Sequence, residues 1–152
     1  MRANASNSQS AYRRADIETA SQGKLVTMLF SGAIQRVEEA KRLIAASDNA
    51  APVSVVHSHL VRAQDIVAEL RSSLDIQAGE LAHQLDSIYE YIFHLLVQAN
   101  IKKDGSHLDE ALRHLTEMRS MWAEAFATAE REGATGAARI NPHGSSIMNL
   151  EG

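Results

Sequence analysis

Between Val56 and Leu74 the apolar residues fall at Val56, Leu60, Ala63, Val67, Leu70 and Leu74, in steps of 4, 3, 4, 3 and 4. A chain turning every 3.6 residues brings all of these to one side, whereas a strand would scatter them over both faces. The segment is therefore read as a helix with one buried stripe. The same spacing recurs at Leu81, Leu85, Ile88, Ile92, Leu95 and Ala99. It recurs again at Val26, Phe30, Ala33, Val37, Ala40 and Ile44, and at Ala111, Leu115, Met118, Trp122, Ala125 and Ala129. Four amphipathic helices joined by short loops bury their stripes by packing antiparallel around one core. No alternating apolar run suggests a strand.

Punctuation places the ends. Thr19 and Gln22 stand in capping-box spacing, so the first helix is expected to begin near Thr19 to Gly23. The segment SDNAAP ends it, and Pro52 suits the first turn of the second helix. Gly79 marks the next turn, and Asp104-Gly105 stops the third helix after Lys102-Lys103, whose charges suit its C-terminal dipole. Ser106 and Asp109 form the expected capping pair of the fourth helix. The reading is all-α: an antiparallel four-helix bundle over residues 19–132, a mobile N-terminal segment over 1–18 and a flexible tail over 133–152.

Composition removes several function classes. A net charge of −4, with basic doublets only at Arg13-Arg14 and Lys102-Lys103, argues against binding nucleic acid. There is no cysteine, hence no disulfide or thiolate chemistry. The first sixteen residues, MRANASNSQSAYRRAD, lack the apolar centre of a signal peptide, and no apolar run has membrane-spanning length. A cytoplasmic protein without membrane insertion is expected. A dimetal bundle site needs two Glu-x-x-His pairs and two further inward glutamates, but only Glu80 and His83 are so spaced, at a helix start. His57 and His59 diverge on a helix. There is no phosphate loop, nucleophile elbow or His-Glu-x-x-His. No catalytic residue, metal or cofactor is expected.

What composition does not absorb is a surplus of apolar side chains. In IYEYIFHLLV, residues 88–97, only Glu90 and His94 are polar. Tyr89, Phe93 and Leu96 make a second stripe running toward Asn100, and Tyr91 widens the opposite edge. Leu108, Leu112 and Phe126 lie off the main stripe of helix four, and Leu25, Met28, Leu29 and Ile34 off that of helix one. Two arrangements account for this: a thick asymmetric core with helix three at its centre, or an outer groove that takes another amphipathic helix. In the second, Gln98, Asn100 and Lys102 stand at the end of the groove.

Several segments resemble the flagellin export chaperones of the FliS family. These are ETASQGKLVTMLFSGAIQRVEEAK, HLVRAQDIVAELRSSLD, LDSIYEYIFHLLVQAN and LLVQANIKKDGSHLDEAL, in order, with Ala11-Tyr12 ahead of them. The similarity spans about residues 11 to 130. Gln22, Lys24 and Phe30 depart from the family's usual Pro, Glu and Tyr, altering a cap and one hydroxyl. The resemblance implies a cytoplasmic helical bundle without enzymatic activity or ATP. Such a bundle wraps the C-terminal segment of flagellin, blocks premature polymerisation and keeps the subunit fit for the flagellar type III export gate. It further implies a client surface at Tyr89, Phe93, Leu96, Asn100, Ile101, Leu108 and Leu112, and an N-terminal lid in which Tyr12 and Ile17 plug the groove when the client is absent. Tyr12 and Ile17 are also readable as a staple on helix one, or as part of a disordered segment. The alternative function is a structural or signalling bundle whose second stripe is a self-association face, giving a weak homodimer when no client is bound.

Overall fold

The computed structural model of the chain describes residues 2–46 and 52–135. Within them lie four long helices, α1 (Arg2–Ala45), α2 (Val53–Ser72), α3 (Glu80–Lys102) and α4 (Ser106–Thr135), with a single 3₁₀ turn at Ile76–Ala78 between α2 and α3. No strand occurs among the described residues. The all-α expectation holds.

Cross-helix contacts fix the order and direction of the helices. Arg36 reaches His59 while Gly32 faces Ile66, so α1 and α2 run antiparallel. Asn100 meets His57 and Asp86 meets Arg71, which sets α3 against α2 in the same sense. Lys41 pairs with Asp109 and Gly23 abuts Phe126, closing α4 against α1. Each helix thus touches its two chain neighbours in a square, with α4 beside α1 and α1 diagonal to α3.

The core follows the stripes with one systematic shift. All six positions expected of the second helix are buried, five of them on α2 and Leu74 just beyond its end. On α3 the buried set is Ala82, Leu85, Tyr89, Ile92, Leu95, Leu96 and Ala99, so Leu81 and Ile88 move outward while Tyr89 and Leu96 move in. Leu108 and Phe126 join Leu115 and Trp122 on α4. The interior therefore takes most of the surplus, and its largest members form one aromatic chain. Phe30 packs on Tyr89 with ring centroids 6.1 Å apart. Tyr89 accepts a hydrogen bond from Trp122, and Trp122 stacks on Phe126 at 5.7 Å.

Three expected boundaries are corrected. Helix α1 begins at Arg2 and runs on through Thr19 to Gly23, because the segment holds no proline and no glycine before Gly23, and its alanines and arginines favour a helix. Pro52 stands just before α2, at its N-cap. At α4 the cap belongs to Asp104, whose carboxylate accepts from the Ser106 N–H at 2.9 Å, and Asp109 is engaged instead by Lys41. Lys103 adopts φ 51°, the left-handed position that ends α3. The side chains of Tyr12 and Thr19, and the tail 136–152, lie outside the described residues.

Candidate binding groove

Between α2 and α3 near the turn, an open hollow of about 390 Å³ is lined by Val67, Ala68, Arg71, Ser72, Leu74, Ile76, Asp86 and Phe93. Its floor comes from Val67 on α2 and Leu74 just beyond it, interior residues whose edges reach the hollow. Phe93 is half-buried against the core, and Ile76, on the 3₁₀ turn, is exposed. That turn is held by Asp75, whose carboxylate accepts from the Gln77 N–H at 3.1 Å. Gly79 then takes φ 128°, a conformation that a side chain disfavours, and delivers the chain into α3.

One rim of the hollow is charged. Arg71 donates from Nε to Asp86 Oδ1 at 2.6 Å and from Nη2 to Oδ2 at 3.2 Å, a two-pronged pair, and Glu90 Oε2 lies 3.5 Å from the same Nη2. Those hydrogen bonds hold the Asp86 carboxyl below its ordinary range against the opposing effect of desolvation, and raise Arg71. The pair was legible only indirectly: Arg71 and Asp86 stand at nearly equal distances from Gly79, where antiparallel helices bring residues level.

Farther along the same side of α3, seven residues beyond Phe93, Asn100 donates from Nδ2 to His57 Nδ1 at 2.9 Å, and its Oδ1 accepts from Lys103 Nζ. Burial lowers the Lys103 ammonium from its ordinary value. Phe93 and Asn100 therefore belong to one α2–α3 face, an apolar middle closed by a polar latch.

The other expected site residues separate from these two. Tyr89, Leu96 and Leu108 are interior, which corrects their placement on an outer stripe. The cause is a rotation of α3 that turns Tyr89 toward Trp122. Leu112 packs on the core on the side of α4 shared with Asp109 and Arg119, both of which contact α1, so it faces away from the hollow. Ile101 points outward, 71% exposed, at the end of α3. Ile17 is also exposed, on the continuous α1 helix. Tyr91 lies on the α3–α4 face instead, where its hydroxyl donates to Glu110 at 2.6 Å and its ring meets His114 edge-on. That hydrogen bond raises the Tyr91 phenol and lowers Glu110. Among the described residues no three His, Cys, Asp or Glu side chains gather as metal ligands, and no helix is long and apolar enough to cross a membrane.

The sequence matches the family model "Flagellar protein FliS" over residues 4–129. It is 31% identical to the flagellar secretion chaperone FliS of Bacillus subtilis over 134 residues, covering 87% of this chain and 97% of the relative. Identity to the corresponding chaperone of Vibrio cholerae is 32% over 117 residues, covering 74% and 83%. The Pseudomonas aeruginosa chaperone FliSB is 32% identical over 109 residues, covering 71% and 83%. A match over most of the folded chain, on a helical bundle with an open apolar face, makes this protein a member of the FliS family of flagellar secretion chaperones, which are not enzymes.

Proposed function

We propose that the chain binds the C-terminal segment of flagellin in the cytoplasm, keeps it from polymerising before export and holds it in a state fit for the flagellar type III export gate. The observation that carries this reading is the α2–α3 hollow, an open apolar surface on a chaperone-family bundle, floored by Val67 and Leu74 and flanked by Phe93 and Ile76. An amphipathic helix seats its apolar anchors in such a channel, while its polar flank meets the Arg71–Asp86 rim and the Asn100–His57 latch.

Titration calorimetry with a peptide of the flagellin C-terminal segment tests it. Burial of apolar surface gives a negative heat-capacity change, and circular dichroism gains helicity beyond the sum of the parts as the client folds. Phe93→Ala weakens binding about tenfold when folded protein is compared with folded protein, since the half-buried ring also packs on the core. Tight binding indifferent to Phe93→Ala would move the client off this face. Concentration-dependent homodimers without a client complex would support the self-association alternative.

A further inference from the structure

The outer side of α1 carries a second apolar stripe, separate from the α2–α3 hollow. Ile17, Leu25 and Met28 are 65%, 56% and 59% exposed, and with exposed Ser21 they follow one another by 4, 4 and 3 residues on the side opposite Phe30 and Val37. Arg14 continues the line at its far end and Lys24 flanks it. Single exposed apolar residues are ordinary, but here three fall in register on one helix face, Leu25 and Met28 adjoining and Ile17 two turns away beyond Ser21.

We infer that this stripe is a docking site for the chain's own C-terminal segment, with Ile147, Met148 and Leu150 as the anchors and Glu151 set against Lys24. Three observations choose this occupant. The chain beyond α4 is small or polar from Gly136 to Ser146 apart from Ile140 and Pro142, and then carries the apolar cluster IMNL. It also starts from the right place. Gly23 abuts Phe126, so Thr135, nine residues farther along α4, lies about 14 Å past that contact on the side from which α1 approaches. Finally, the reach suffices. From there to Leu25 and Met28 is about 20 Å along the bundle, whereas the twelve residues to Ile147 extend to about 40 Å, enough to round α1. A tether of that length holds the cluster near the stripe at an effective concentration on the order of millimolar, so a modest apolar contact suffices. The inference does not depend on the client reading, which concerns the α2–α3 face rather than the outer side of α1.

The absence of cysteine allows a single spin label on the full chain at Met148→Cys. Expected is paramagnetic loss of the backbone amide signals from Ser21 to Met28, abolished by the double variant Leu25→Lys, Met28→Lys, whose wild-type side chains are too exposed to hold the fold together. A mixture of spin-labelled and isotope-labelled copies separates the sources, and the tail reading requires no loss between molecules. Loss between molecules would assign the stripe to a second copy and overturn the inference. Signal loss centred on Phe93, or none at all, would overturn it too.

Discussion

Trp122 donates its indole N–H to the Tyr89 hydroxyl at 2.7 Å, and both side chains are 1% exposed. The bond ties α4 to α3 at the middle of the core, where an unpaired N–H would face only apolar neighbours. Tyr89→Phe removes the acceptor and leaves that donor unsatisfied, at a cost of about 1–3 kcal/mol by denaturant unfolding. Affinity for the flagellin peptide stays unchanged once folded protein is compared with folded protein, because Tyr89 is not at the surface.

The same burial pushes the Tyr89 phenol up to about 12. The folded state thus keeps a proton that the unfolded chain releases near pH 10. Stability from this group is fully present below pH 10 and is lost as pH rises from about 10 to about 12, by up to roughly 2–3 kcal/mol. Unfolding free energy measured across that window falls more steeply for the wild type than for Tyr89→Phe.

Leu96 and Ile92 are equally buried. Leu96→Ala and Ile92→Ala each lose about 2–5 kcal/mol of stability through the cavity they open. Ile101→Ala, at an exposed position, changes stability by no more than about 0.5 kcal/mol. Chemical denaturation of the three variants checks the ranking.

Gly23 permits the close approach of α1 to α4. A Cβ there would lie 2.7 Å from Phe126 Cγ, on a ring already fixed by stacking against Trp122. Gly23→Ala is expected to cost about 1–3 kcal/mol, with part of the loss recovered by Phe126→Leu. At Gly105 the added carbon meets nothing within 4 Å, so Gly105→Ala serves as the near-neutral control.

Asp86, held ionised by Arg71, contributes stability above its ordinary pKa near 4 and loses it as pH falls below that value. Asp86→Asn removes this contribution, so its stability relative to wild type improves from pH 5 to pH 2. The effect is small because both partners reach solvent. An unchanged difference across that range would mean that the pair does not couple to folding.

Ile17 stands clear of the bundle. Deleting residues 1–16 should therefore leave client affinity unaltered in calorimetry. Tighter binding by the shortened chain would restore the lid, since a competing segment lowers apparent affinity by its own closure.

Sequence alone determined the helices and, for α2, the complete buried face, because a 3.6-residue period maps directly onto one side of a cylinder. It also carried the family, through the segments from Ala11 to about residue 130. Periodicity could not decide how far each helix is rotated about its own axis. On α3 two adjacent stripes, one through Leu85, Ile88 and Ile92 and the other through Tyr89, Phe93 and Leu96, are equally periodic. Their sorting depends on partners far away in the chain: Trp122 and Phe30 take Tyr89 inward, while Phe93 lies at the edge of a hollow lined by Val67 and Ala68 of α2 and by Leu74 and Ile76 of the following turn. The N-terminal helix was missed for the opposite reason. A good capping pair at Thr19 and Gln22 marks where a helix can begin, but nothing in the preceding residues forbids it from beginning earlier. Local spacing fixes which residues share a face, and only the packing of four helices together settles which face is inside.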